Sequence, residues 1–228
     1  MQSYFQESHN AYYSIVAALP LLISYEILLM ITRNPYWQVR NAADVWLREV
    51  LFLFDLTSQQ ATFAMIAILF ILIPFVHPKY SPLKWRYFGY IILESTIYSL
   101  FFGAIIHSIL HAVFLASPVQ DTFLQNVALS LGAGLYEEFF FRVLLLNVLF
   151  WGLKFFLKNT TITGLISIFL AAFLFSLSHY VGALSDHFDF YSFLFRMTAG
   201  LVFTVIYFLR GFAVAAYTHA LYDIWVFL

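Results

Sequence analysis

The sequence predicts an all-α polytopic membrane protein: a bundle of about seven transmembrane helices with an interfacial helix near residues 41–56. Three observations carry this. Hydrophobic residues make up 63% of the 228 and charged residues only 10%, with a mean hydropathy of +0.85, far outside the range of a soluble domain. The apolar residues fall into stretches of about 20, the length a hydrocarbon core requires. The connections are short and none has the composition of a soluble domain, so residues 1–228 read as one membrane domain. A net charge of −1 offers no basic surface for nucleic acid. The absence of cysteine excludes disulfides, thiolate catalysis and cysteine-ligated zinc.

The first span is expected over Ala11 to Thr32, with Pro20 and Glu26 inside it. Residues 41–56 place Asp44 and Arg48 at i, i+4 among Trp46, Leu47, Val50, Leu51 and Phe54, a pattern that suits a helix lying in the interface. Ala61 to Val76 and Tyr87 to Ala116 give the second and third spans, joined by a polar connection rich in proline. Residues 122–157 are too long for a single span, and Gly132 and Gly134 predict a break or bend before the helix that follows. The remaining spans are Ile162 to Val181, Phe190 to Leu209 and Phe212 to Leu228.

The chemistry concentrates in Tyr136-Glu137-Glu138-Phe139-Phe140-Phe141-Arg142. Ionisable groups are costly in hydrocarbon, so their presence there points to a site. On a helix of about 3.6 residues per turn, Glu138 and Arg142 stand one above the other and can pair, while Glu137 points about 100° away. One glutamate has a built-in partner and its neighbour is left for other work. His179 lies near the end of the fifth span, and His219 and Asp223 share one face of the seventh at i, i+4. Groups on three helices can converge on one buried polar cavity. His107 and His111 have the same spacing and fit an interfacial role. Arg196 has Asp186, Asp189 and Asp223 as possible partners, and Glu26 and Glu94 have no distinguishing surroundings.

The patterns E-E-x-x-x-R, F-x-x-x-H and H-x-x-x-D, in this order on separate hydrophobic segments, resemble the CAAX-protease and bacteriocin-processing family of intramembrane glutamate-type endopeptidases. The resemblance covers about residues 120–228, the expected catalytic core. It implies a peptide-bond hydrolase with its site inside the bilayer, and Glu137 as general base with His179 helping to activate the attacking water. It further implies that His219 stabilises the oxyanion, with Glu138 and Arg142 in support. Asp223 stands where the better-known prenyl-protein proteases have Asn. An ionised aspartate cannot donate to an oxyanion, so an orienting role toward His219 is expected of it.

No cofactor is expected from this resemblance. Two histidines and carboxylates also suit zinc with an open position as the alternative, although no H-E-x-x-H is present. The implied partners are the lipid bilayer and a membrane-anchored or lipidated peptide or protein substrate. The implied location is the cell membrane, multi-pass, of a prokaryotic plasma membrane. The competing class is non-catalytic: a scaffold or immunity-type binding protein, or a proton-coupled transporter using the same buried charges.

Overall fold

Long apolar runs without strand periodicity have one way to satisfy their backbone in hydrocarbon, and the chain takes it. A computed structural model describes residues 2–32, 39–76, 83–110, 123–182 and 185–227, and among these all regular structure is helical. The elements are α1 (Gln2–Ser8), α2 (Ala11–Ile31), α3 (Ala42–Phe52), α4 (Ser58–Val76) and α5 (Arg86–Leu110). They are followed by α6 (Phe123–Gly132), π-helical stretches over Ala133–Glu137 and Phe139–Leu145, α7 (Leu146–Phe156), α8 (Thr160–Ser178), α9 (Phe190–Arg210) and α10 (Phe212–Phe227). Polar caps set several starts: Asn10, Asn41, Asn159 and Asp189 each accept a backbone N–H of the first turn.

Among the described residues, five helices are long and apolar enough to cross a membrane: α2, α4, the continuous helix Phe123–Phe156, α8 and α9. The 25-residue α5 and the 16-residue α10 pack in the same bundle and account for the remaining expected spans. Phe63, Phe75, Phe155 and Phe156 point outward and stay exposed, as side chains facing lipid do. The connection 77–82 and residues 111–116, including His111, lie outside the described residues, as does the side chain of His107.

The 123–156 segment runs on where a break or bend was expected, and its irregularity takes another form. It is one helix of 34 residues, about 50 Å long, with no break at Gly132 or Gly134. The helix instead widens into π turns, which insert an extra residue per turn and commonly mark functional sites. Both glycines serve close approach. A Cβ on Gly134 would overlap Ala216 O and lie 2.6 Å from Ala220 Cβ, so α10 packs directly on this backbone. A Cβ on Gly132 would lie 2.6 Å from Tyr25 Cε2 and 3.2 Å from Asn41 Cβ, which brings α2 and the start of α3 onto the other side. Helix α10, with Ala213, Ala215, Ala216 and Ala220 buried, sits at the centre and touches α2, α5, α6, α9 and both π stretches.

The α3 segment turns its charges inward. Asp44 is fully buried and Arg48 nearly so, whereas Val50, Phe52, Leu53 and Phe54 are exposed. Its partner on α2 is Glu26, whose Oε1 Arg48 reaches at 2.5 Å; within the segment Arg48 reaches Asp44 Oδ1 at 2.6 Å, and Arg40, just before α3, reaches Asp44 Oδ2 at 2.8 Å.

A second buried charge cluster joins early and late parts of the chain. Arg210, the last residue of α9, donates to Glu94 Oε1 and Oε2 at 2.5 and 2.9 Å, to Phe5 O at 3.1 Å and to Ser8 Oγ at 3.0 Å. Tyr4 donates to the same Glu94 at 2.6 Å. The following Gly211 has φ of 82° and lies against the His9 backbone, a conformation and a closeness that suit only glycine. Glu26 and Glu94 are thus structural ion-pair residues.

Candidate active site

The motif helix presents its two adjacent carboxylates to different neighbours. Glu138 is fully buried and its Oε1 lies 3.1 Å from Arg142 Nη1, the i, i+4 pair that the spacing predicts. The same oxygen accepts a 2.7 Å hydrogen bond from His219 Nδ1 on α10. Sequence spacing gave no sign of this second contact, because 81 positions separate the two residues. One carboxylate therefore ties an arginine of its own helix to a histidine of another. Arg142 also donates to Gly200 O at 3.3 Å, which brings α9 into the same cluster.

Aromatic faces complete this cation-holding arrangement. The Arg142 guanidinium lies 4.6 Å from the Phe175 ring centre and 5.7 Å from that of Phe203, distances at which the ring faces attract a cation. The His219 ring stacks on Phe203 with centroids 4.4 Å apart and planes 15° from parallel. Phe175 appeared in the sequence only as the first residue of F-x-x-x-H, and Phe203 not at all. In a chain with 28 phenylalanines, no composition signal singles them out.

Glu137 is the other carboxylate. It has no bond to Arg142 and accepts one from Asn41 Nδ2 at 2.6 Å. It lies within electrostatic reach of His179 and His219. His179 follows the last turn of α8, and its Nδ1 lies 3.0 Å from Phe175 O. A carbonyl only accepts, so Nδ1 carries the proton and Nε2 of the neutral ring is left as an acceptor. Both Glu137 and His179 are partly exposed, in contrast to the sealed Glu138–Arg142 pair.

Asp223 stands 3.6 Å from His219 Nε2, an ion-pair distance and too long for a hydrogen bond. The firm orientation of His219 thus comes from Glu138 at Nδ1, and Nε2 remains available to a ligand. Arg196 pairs with Asp186 at 2.6 Å, while Asp189 caps α9. Among the described residues no three His, Asp or Glu side chains are grouped to hold a metal ion. The structure brings Glu137, Glu138, Arg142, His179, His219 and Asp223 into one polar region where the motif helix, α8 and α10 meet. Asn41 is the member that the sequence reading missed.

Fold and polar cluster define a polytopic helical protein with an ionisable site among membrane-spanning helices. Residues 118–225 match the family described as Type II CAAX prenyl endopeptidase Rce1-like. Over these residues, in its C-terminal half, the chain is similar to that family. No curated protein and no solved structure matches the chain.

Proposed function

We propose that the protein is an intramembrane endopeptidase that hydrolyses a peptide bond in a membrane-anchored or lipidated substrate. The observation that carries this reading is the division of labour between the two glutamates. Glu138 is engaged with Arg142 and His219, whereas Glu137 holds no cation directly and faces the two histidines. In the proposed reaction Glu137, assisted by the Nε2 lone pair of His179, takes a proton from water as the water oxygen attacks the substrate carbonyl. The carbonyl π electrons move to oxygen, and the oxyanion accepts a hydrogen bond from the Nε2–H of His219, held as the imidazolium whose Nδ1–H is given to Glu138. As the C–N bond breaks, Glu137 returns its proton to the leaving amine, and the carbonyl re-forms as a carboxylic acid. Asp223 sits close enough to His219 Nε2 to bias the charge and orientation of that ring. The set needs no metal in this reading.

An apolar cavity of about 870 Å³ flanks the motif helix, bounded by Leu22, Leu51, Met65, Leu69, Tyr136 and Phe139 among others. Its size and lining suit hydrocarbon, which supports a substrate carrying a lipid or a transmembrane segment.

The test is cleavage of a pooled library of membrane-anchored reporter peptides by the purified protein in nanodiscs. Wild type, Glu137→Gln and His179→Ala are compared, each with and without chelator. Cleavage by wild type alone, indifferent to chelator, is the expected result. Equal cleavage by Glu137→Gln removes the assignment of the base, and loss with chelator replaces the metal-free reading by the zinc one.

A further inference from the structure

Among the described residues, the one side chain that hydrogen-bonds Glu137 comes from outside the family-matched residues. Asn41 caps α3, and its Oδ1 accepts the Ala43 N–H at 2.9 Å. Only the carbonyl end of an amide can do that, so the cap fixes which way the amide faces. Nδ2 is thereby turned to the motif helix, where it donates to Glu137 Oε1 at 2.6 Å.

Asn41 is in turn held by a chain of bonds. Its own N–H donates to Tyr25 Oη at 3.2 Å, and Tyr25 donates to Asp44 Oδ2 at 2.9 Å. Asp44 and Glu26 share Arg40 and Arg48, two positive against two negative charges, with Thr62 accepting from Arg48 at 3.0 Å. Such a buried cluster is a poor source of stability compared with apolar packing, but it has one well-defined geometry. Gly132 completes the arrangement, since any Cβ there would push on both Tyr25 and Asn41.

We propose that Asn41 is a positioning residue for Glu137. Its amide holds one carboxylate oxygen and leaves the other for the reacting water, and the α2–α3 charge cluster keeps that amide in place. The proposal rests on the reading of Glu137 as general base. The titratable and charged groups around Glu137 are His179 after α8, His219 and Asp223 of α10, and Glu138 and Arg142 of its own helix. Asn41 is the neutral donor among them.

The test uses the full chain with Asn41→Ser and Asn41→Asp. Serine and aspartate are both good N-caps, so α3 keeps its cap in either variant. Serine is too short to reach Glu137, and aspartate sets an acceptor against it. Two readouts are taken: kcat and KM on a cleaved reporter peptide, and modification of Glu137 by dicyclohexylcarbodiimide, which attacks protonated carboxyls, followed by peptide mass spectrometry across pH. The expected result is a kcat lowered about 10- to 100-fold with KM nearly unchanged, the size of a lost charge-assisted hydrogen bond. Glu137 modification at neutral pH should rise about tenfold in Asn41→Asp. Gly132→Ala, which leaves Asn41 in the sequence but displaces it, should lower kcat in the same way.

Wild-type kcat and wild-type modification in both Asn41 variants, with only a lower melting temperature, would reduce Asn41 to a helix cap and overturn the proposal. The carbodiimide readout needs no substrate. Absence of cleavage by wild type, or cleavage unaffected by Glu137→Gln, would therefore count against the protease reading while the modification profile still decides the role of Asn41.

Discussion

Adding one methyl group to Gly134 tests whether the spacing between the motif helix and α10 sets the site. The new Cβ would overlap Ala216 O and lie 2.6 Å from Ala220 Cβ and 2.8 Å from Ala220 N. Carbon atoms settle about 3.5–4.0 Å apart, so α10 has to retreat by about 1 Å. His219 adjoins Ala220 and moves with it. Its 2.7 Å bond to Glu138 then stretches to about 3.7 Å, outside hydrogen-bond range. Overpacking costs about 1–3 kcal/mol, and loss of a bond to a buried charged group adds about 1.5–3 kcal/mol. The better helix propensity of alanine offsets about 1 kcal/mol. A net destabilisation of about 1.5–5 kcal/mol follows, and a 1 Å misplacement of a reacting group lowers turnover about 100-fold. Thermal unfolding in detergent and reporter cleavage measure the two effects. Gly152→Ala and Gly164→Ala are the controls, because nothing lies within 4 Å of a Cβ at either position. If Gly134→Ala melts and cleaves like these controls, the helix spacing does not set the site and the reasoning fails.

Two further substitutions separate the supporting groups. Arg142→Met leaves the buried Glu138 carboxylate with only His219, which should cost about 3–5 kcal/mol in detergent unfolding; pairing it with Glu138→Gln should recover part of that loss, and a double variant less stable than the single would contradict the pairing. Asp223→Asn preserves shape at a residue 3.6 Å from His219, whereas Glu138→Gln replaces the acceptor that orients that ring at 2.7 Å. Cleavage should therefore fall less than about tenfold in the first and at least 100-fold in the second; the reverse order would make Asp223 the principal orienting group.

The spans were legible because apolar runs of membrane length have few alternatives, and the Glu138–Arg142 pair was legible because i, i+4 neighbours on a helix always meet. Gly132 and Gly134 were ambiguous because a glycine inside a helix signals either a break or a close neighbour. Only the position of Tyr25, Asn41 and α10 distinguishes these. The amphipathic pattern of α3 was visible, but its orientation was not: Asp44 and Arg48 look like a water-facing pair until Glu26 and Arg40 are known to lie beside them. Asn41 carried a partial signal. As a helix cap it uses its carbonyl oxygen and leaves an amide N–H₂ in want of an acceptor, yet nothing local says that the acceptor lies 96 residues away. The His219–Glu138 bond was hidden for the same reason of distance along the chain.

The Arg210 cluster has a consequence for how the protein is made. Glu94 enters the membrane on α5 and finds its arginine 116 residues later, while the Phe5 carbonyl is met by the same guanidinium across 205 residues. During synthesis, a carboxylate without its arginine must therefore reside in an incompletely assembled set of helices until α9 has been threaded. Such a group is best kept protonated, solvated at the membrane surface or covered by an insertion factor while it waits. The arrival of Arg210 then works as a latch, bringing the α9–α10 turn against α1 and committing the bundle only after most of the motif-bearing helices are in place. His219 and Asp223 follow Arg210 in the chain, so the polar region around Glu137 and Glu138 cannot be complete before this latch has arrived.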